Sequence, residues 1–408
     1  MRSIGIWLVA AALCVATGCD SDPSDPGDAP FGGDIAVVGH GVVTERFTGE
    51  VAARGDYAYT STWSSRAGTP GNAIKVWNVA GADPQLVDSL IVPNASTLGD
   101  VQISADGRWL VVATERANGS IVTFDLADPA HPQFVSRHTS ANTSESGVHT
   151  AKLGTVDGTL YAFLSVNPSG LRQGTLVIVD LSDPANPEEV LVREMGLPFV
   201  HDVFVRDGML FVARWHGGMT IFDIGGGGRD GSPANPVEIS TIRTAGSVNP
   251  NSPYVHNMWW FHNPQGNEKR YVFVGEEAPG VQGAAFSGDV HVVDVSDIDQ
   301  PREVAFYHVA GAGAHNFTMD EASGILYAAF YNGGVRALDV RGDLGACTDA
   351  QRSPDGRCNL GLMGREAGAA LHDAGAVSIW GVANDGDFVY ASDMLSGIYK
   401  LDIAELRR

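Results

Sequence analysis

The stretch Leu176–Val190, LVIVDLSDPANPEEV, carries a pattern from which the fold can be inferred. It consists of an unbroken apolar strand, an Asp, and a turn of Ser, Asp, Pro and Asn. Related strands occur seven times and begin 43 to 71 residues apart, as expected for one structural unit repeated with loop insertions. The fifth position of each strand is an acid or an amide: Asn78, Asp125, Asp180, Asp223, Asp294, Asp339 and Asp402. We interpret these side chains as caps of the turns that follow the strands.

One unit, residues 200–243, shows the plan of the repeat. Four β-rich runs, VHDVFV, MLFVAR, MTIFDI and VEISTIR, follow one another without helical periodicity. Asp207-Gly208, between the first two runs, supplies the positive φ angles that a two-residue hairpin needs. Because four-stranded antiparallel sheets repeated around an axis form a β-propeller, the sequence predicts an all-β fold, a seven-bladed β-propeller.

The two ends of the chain are predicted to close the ring. The run Val42–Phe47 precedes the first inner strand, and the chain ends on a third strand, Ile398–Ile403, with no fourth strand after it. We therefore expect the N-terminal run to supply the outer strand of the last blade. Because the repeats spread over almost the whole chain, residues 34–408 are predicted to form one domain.

The N-terminal residues predict where in the cell the protein is located. Arg2 precedes an apolar run, Ile4–Ala16, that is too short to span a bilayer. The following residues, up to Cys19, resemble the lipobox of bacterial lipoproteins, in which the Cys is acylated. We predict a signal peptide over 1–18, a lipid anchor on Cys19 and a disordered Asp/Pro/Gly tether over 19–33. The protein would then be anchored in the bacterial cell envelope, on the periplasmic side of a membrane or on the cell surface. Cleavage by signal peptidase I is the alternative, because Ala16 stands where Leu is usual.

Charge and cysteine usage narrow the possibilities further. The net charge of -22 argues against nucleic acid or an anionic membrane surface as a partner. Cys347 and Cys358 bracket a polar loop, and in an exported protein they predict a local disulfide that pins an insertion.

With the strand LVIVD, the following SDPANP and the seven-fold pattern, the chain resembles the LVIVD-repeat family of bacterial cell-envelope β-propellers. The resemblance covers about Val42 to Ile403. It implies a secreted or surface-anchored propeller, and no catalytic residue can be transferred from it.

Four consecutive repeats place a His at the start of the inner strand: His149, His201, His256 and His315. If these side chains point to the axis, they could hold a transition metal, since imidazole suits Zn, Fe or Cu. The axial face is also expected to include Glu50 and Trp380 at the starts of inner strands, and the loop residues Trp63, Glu115, Asn167, Tyr331, Asn332 and Met394. The residues expected to orient the histidines or to share this face are Asp100, Asp202, Asn257, Asn316, Trp215, His216, Glu276, Glu277 and Asp393. The alternative is that an ancestral capping His was duplicated and binds no metal.

Three functions are compatible with these residues. The first is a binding module whose axial face captures a protein or a glycan, which the predicted address and the lack of a nucleophile–base pair in the sequence favour. The second is a metal-dependent, oxidoreductase-like enzyme that uses the four histidines. The third is a purely structural component of the envelope. The sequence alone does not decide among them.

Overall fold

The computed structural model describes residues 33–116, 118–168, 173–196, 199–245, 254–278, 288–372 and 376–408. Seven sheets of at least four strands each form an all-β, seven-bladed propeller, which confirms the predicted fold. The helix found in these ranges is a short 3-10 turn, Asp349–Gln351. In the part of the chain that the structure describes, no helix is long and apolar enough to cross a membrane.

The blades follow one another along the chain, and within each blade the strands run in order from the inner to the outer one. Blades one to three contain Phe47–Arg54, Tyr57–Trp63, Ala73–Asn78 and Gln85–Ile91; Leu98–Ile103, Trp109–Thr114, Ser120–Asp125 and Gln133–His138; and Val148–Val156, Thr159–Val166, Thr175–Asp180 and Glu188–Glu194. Blades four and five contain Val203–Arg206, Met209–Ala213, Met219–Asp223 and Val237–Ile242; and Tyr254–Trp260, Tyr271–Glu277, Val290–Asp294 and Arg302–Tyr307. Blades six and seven contain Phe317–Asp320, Ile325–Ala329, Val335–Asp339 and Glu366–Ala370; and Ile379–Asp385, Phe388–Asp393, Gly397–Asp402 and Ala36–Val42. A small hairpin, Ser65–Arg66 with Thr69–Pro70, projects from blade one.

An N-terminal strand closes the last blade, as predicted, but the predicted span Val42–Phe47 was wrong. The closing strand is Ala36–Val42, which pairs antiparallel with Gly397–Asp402, whereas Phe47 begins the inner strand of blade one. Gly39 and Gly41 concealed this strand, because glycine normally weakens a strand pattern. In the folded protein they allow close packing, since a Cβ on Gly41 would lie 2.6 Å from the ring of Trp77.

The side chains at the fifth position of the third strands are turn caps, as predicted. Each accepts a hydrogen bond from the backbone N–H two residues further on, and the bond from Ser182 to Asp180, 2.7 Å long, is typical. The other six acceptors are Asn78, Asp125, Asp223, Asp294, Asp339 and Asp402. Their recurrence therefore reflects the geometry of the turn.

The hydrophobic core lies between neighbouring blades. The third strand Thr175–Asp180 is buried over its first five residues, whereas the outer strand Glu188–Glu194 is half exposed. One cluster joins Phe211 and Ile221 of blade four to Trp260 and Val272 of blade five. Because the apolar side chains fill the gaps between blades, the axis is left to polar side chains, and the candidate site forms there.

Cys347 and Cys358 form the predicted disulfide, with an S–S distance of 2.02 Å. The bond closes a loop in the insertion between the third and fourth strands of blade six. Cys358–Asn359 then adds a fifth, parallel strand to blade five, and Gly33–Asp34 does the same for blade six. Two outer sheet edges are thereby covered, which limits pairing with other chains.

The predicted signal peptide over 1–18, the acylated Cys19 and the tether over 19–33 lie outside the described residues, apart from Gly33. They remain predictions from the sequence.

Candidate functional site

A β-bulge at the start of the inner strands turns one side chain toward the axis of the propeller. In blades three and five the extra residues of the bulges are His149 and His256. In blade four, the backbone N–H of His201 donates to the carbonyl of Ala213, and the N–H of Ala213 donates to the carbonyl of Asp202. Two residues of one strand, His201 and Asp202, therefore lie opposite a single residue, Ala213. Blade six repeats this arrangement. Since a bulge re-aims a side chain at the rim of a closed sheet, blades three to six each deliver one imidazole to a common place.

The four predicted histidines lie side by side in an arc. The centroids of successive rings are 4.3 Å apart for His149 and His201, 4.1 Å for His201 and His256, and 4.2 Å for His256 and His315. They line an open cavity of about 510 Å³ at one end of the axis. The structure thus brings all four together, as the sequence suggested.

Three of these histidines are held in the neutral form. Nδ1 of His201 donates to the carbonyl of His256 at 3.2 Å, and Nδ1 of His315 donates to the carbonyl of Trp380 at 2.8 Å. Burial lowers the pKa of His201 and His256 well below the usual value and that of His315 to about 3. Neutral imidazoles with Nε2 directed away from the backbone are the form that binds metals.

His149 differs from the other three because an acid lies beside it. Its Nδ1 is 3.2 Å from Oε1 of Glu115, and its Nε2 is 3.0 Å from Nε2 of His201. Burial opposes the charge, but the carboxylate of Glu115 raises the pKa of His149 to about 9. His149 is therefore protonated at neutral pH and donates to His201. A metal on Nε2 of His201 would replace this hydrogen bond.

Glu277 completes a group of possible metal ligands. Its Oε2 is 3.7 Å from Nε2 of His256 and 4.0 Å from Nε2 of His201, too far for hydrogen bonds. The donor atoms of these three residues lie within 4.8 Å of one another. Tyr331 donates a hydrogen bond to Oε1 of Glu277 and so fixes the carboxylate. Burial raises the pKa of Glu277 to about 7, which means that this carboxylate lacks sufficient compensating charge.

The floor of the cavity is a ring of charged and amide side chains. Lys152 lies 3.4 Å from Oδ2 of Asp100. Burial raises the pKa of Glu50 to about 7 and that of Asp202 to about 6. These residues also border a second cavity of about 290 Å³ toward the other end of the axis. The ring thus separates two halves of an axial channel.

Of the remaining predicted residues, two lie in the floor, two stack on aromatic rings, and two face away from the cavity. Asn257 and Asn316 join the floor, where Nδ2 of Asn257 donates to Oδ1 of Asn316 at 3.2 Å. Trp215 stacks on the ring of His201 at 4.6 Å, and His216 packs on Tyr254 with ring centroids 3.7 Å apart. Trp215 has φ of 51°, an unusual conformation for a bulky residue and one often found at functional sites.

Glu276 and Asp393 do not face the cavity. Glu276 precedes Glu277 in one strand and therefore points to the opposite face, where its Oε2 is 2.9 Å from Nε2 of the buried His291. Asp393 accepts hydrogen bonds from the backbone N–H groups of Ser378 and Leu395 and so holds the turns of blade seven.

Sequence reasoning missed Lys152. It stands two residues after Thr150, on the same face of the inner strand of blade three, and both line the cavity. The two-residue alternation of a strand could have indicated it, but no other inner strand has a cation at this position.

Comparisons with known proteins agree with the repeat and the fold. The model of the LVIVD repeat matches residues 170–192 and 200–244. The structure is similar to Sqt1 of Saccharomyces cerevisiae, with a TM-score of 0.55 and 10% identity over 91% of this chain and 86% of that one. The C-terminal WD40 domain of Sif2 has a TM-score of 0.57 and 10% identity, over 91% and 99% of the two chains. The β-propeller domain of Cps50 (Swd1) from Myceliophteria thermophila has a TM-score of 0.57 and 11% identity, over 90% and 98%.

At these identities the structural likeness concerns the fold alone. No curated protein matches the chain. The matched repeat and the seven observed blades together lead to one conclusion: the chain is a β-propeller that carries LVIVD repeats over residues 170–192 and 200–244, and this repeat family is found in β-propeller proteins.

Proposed function

We propose that the protein is a binding module of the bacterial cell envelope, anchored through Cys19, whose axial pocket binds a divalent transition-metal ion. The β-propeller fold in general supports interaction modules. The observation that carries the metal proposal is the convergence of His201, His256 and Glu277 in an open cavity. The proposed location in the cell envelope rests on Arg2, the apolar run and the lipobox-like residues of the N-terminus.

The donor atoms suit such an ion in type and spacing. Two neutral imidazoles and one carboxylate are common ligands of Zn and Fe. A tetrahedral ion with bonds of about 2.0–2.1 Å would hold its ligand atoms about 3.3 Å apart. The distances from Oε2 of Glu277 to Nε2 of His256 and of His201 are 3.7 and 4.0 Å, so the carboxylate would need to come less than 1 Å closer to each imidazole.

Burial adds a second argument. His256 is 3% exposed, and its Nε2 faces Oε2 of Glu277 at 3.7 Å. Two further imidazoles, those of His149 and His315, flank the group, while the cavity leaves one side open. An ion would supply the positive charge that the buried carboxylate of Glu277 lacks, and a ligand could reach it from the cavity.

Metal titration of the purified protein tests this proposal. We expect one equivalent of Zn(II) or Co(II) per chain, and stabilisation by about 2.7 kcal/mol at a hundredfold excess over the dissociation constant. His256→Ala and Glu277→Gln should each weaken binding at least about tenfold, in line with the loss of a ligand. The control is His131→Ala, which removes a surface imidazole paired with Asp88 and should leave binding unchanged.

Two results would refute the metal site. The first is protein that binds no ion under these conditions. The second is equal loss of binding in the control and in the two ligand variants, because it would show adsorption at surface imidazoles.

A metal-dependent enzyme is the second candidate, and the open side of the cavity beside the three donors favours it. Oxygen uptake by Fe(II)-loaded protein separates the two functions. Uptake that continues well beyond one equivalent and disappears in His256→Ala would indicate catalysis. Uptake limited to oxidation of the bound iron would favour the binding module.

A further inference from the structure

We propose that the pocket has a second subsite, beside blades seven, one and two, that binds the aromatic ring of a small organic acid. The acid group of this ligand would coordinate the metal held by His201, His256 and Glu277, so the inference rests on the proposed function. It names the class of molecule that the axial pocket binds.

The first observation is an asymmetry among the seven blades. Blades three to six place a histidine at the bulge, whereas blades one and two place Gly49 and Gly99 there. Neither glycine can be replaced without movement. A Cβ on Gly99 would lie 2.2 Å from the carbonyl oxygen of His149, and a Cβ on Gly49 would lie 2.6 Å from Oγ of Ser61. In the half of the cavity opposite the imidazoles, the bulge positions of blades one and two therefore carry no side chain.

The second observation concerns the walls of this free half. The indole rings of Trp63 and Trp380 line the cavity with centroids 5.1 Å apart and planes inclined by 63°. Trp63 is fixed by a hydrogen bond from its Nε1 to Glu115 at 3.3 Å. Trp380 stacks on His315 with centroids 5.1 Å apart. Both rings are thus held in place by residues of the candidate site.

The third observation is an unused donor. Nε1 of Trp380 is buried and has no hydrogen-bond partner among the described residues. A buried N–H without an acceptor is costly, and a ligand oxygen would relieve that cost. This donor favours an acceptor oxygen on the ligand.

Two inclined indoles favour an aromatic ring over a sugar. Aromatic rings prefer offset or edge-to-face contacts, which a pair inclined by 63° can offer to a third ring. Beside the indoles, this half of the cavity is lined by Gly49, Leu98 and Gly99 and by the carboxylates of Glu50, Asp100 and Glu115. The cavity of about 510 Å³ is at the lower end of the range for small-molecule sites, as expected for a one-ring acid beside an ion.

Calorimetric titration with salicylate tests the subsite. We expect salicylate to bind Zn(II)-loaded protein at least about tenfold more tightly than glycolate, which has the acid group and a chelating hydroxyl without the ring. Trp63→Leu and Trp380→Leu should each weaken salicylate binding about tenfold and retain one equivalent of zinc. The control is Trp109→Leu, which removes an indole that contacts Arg108 outside the cavity and should change neither value.

The zinc content and the salicylate affinity are read separately, so the two proposals fail differently. Protein that binds no zinc overturns the proposed function and, with it, metal coordination by the acid. Protein that binds zinc but holds salicylate no better than glycolate overturns the aromatic subsite alone. The same conclusion follows if both Trp variants keep full salicylate affinity, or if glucose competes with salicylate. Should a Trp variant misfold, the comparison of salicylate with glycolate in the unaltered protein still decides the question.

Discussion

Replacement of His291 by Leu is expected to lower the free energy of unfolding by about 3–5 kcal/mol at pH 7, because it leaves a buried carboxylate without its cation. Nε2 of His291 lies 2.9 Å from Glu276, and Nδ1 donates to Glu303 at 2.6 Å. His291 and Glu276 are each 2% exposed. Arg357 also pairs with Glu303, so Glu276 loses the most by this substitution.

The raised pKa of His291 predicts that the free energy of unfolding depends on pH. Burial opposes its charge, but Glu276 and Glu303 raise the pKa of His291 to about 10, against about 6.5 in an unfolded chain. A raised pKa contributes stability that is fully present below about pH 6.5 and is lost as the pH rises through about 10. The advantage of the unaltered protein over His291→Leu should therefore shrink by up to about 1.4 kcal/mol per pH unit above pH 6.5.

Urea unfolding followed by tryptophan fluorescence at pH 6, 7, 8 and 9 measures both effects. The double variant Glu276→Leu/His291→Leu should recover most of the loss, because removing both charges leaves no unpaired buried charge and keeps the Glu303–Arg357 pair. His131→Leu is the surface control and should cost less than about 1 kcal/mol. A loss below about 1 kcal/mol for His291→Leu, or a double variant less stable than the single one, would refute the reasoning.

Three further predictions concern the ends of the chain and the insertion. Deletion of 34–43 should lower the free energy of unfolding by at least about 3–6 kcal/mol, at about 0.5–1 kcal/mol for each of the six residue pairs that close blade seven. Deletion of 20–32 should cause no measurable loss. Equal melting temperatures of the two truncated proteins would contradict the closure. Replacing Cys347 and Cys358 by Ser should cost at most about 2–3 kcal/mol, because the bond closes a short loop, and two free thiols in the native protein would exclude the bond. Cys19→Ser should abolish acylation and release the protein from membranes, and acylation that persists in this variant would remove the proposed anchor.

Local patterns in the sequence sufficed for the architecture and for the residues that end its strands. The seven LVIVD-like strands, the Asp-Gly hairpin at Asp207 and the turn-capping acids depend on interactions within a few residues, so they can be read from the chain. The Cys347–Cys358 bond was equally accessible, because its partners are 11 residues apart. The four histidines could be found because they occupy one position of the repeat.

Only the tertiary structure decided which side chains meet at the axis. The bulge turns His149 and its equivalents inward, and a one-residue alternation sends Glu277 to the pocket and Glu276 to His291. Lys152 enters the floor from one blade alone, without a counterpart in the repeat. The closing strand was misplaced for the same reason, since the need for Gly41 appears only when Trp77 packs against it. Contacts between distant blades depend on the closed ring, and no local pattern contains that information.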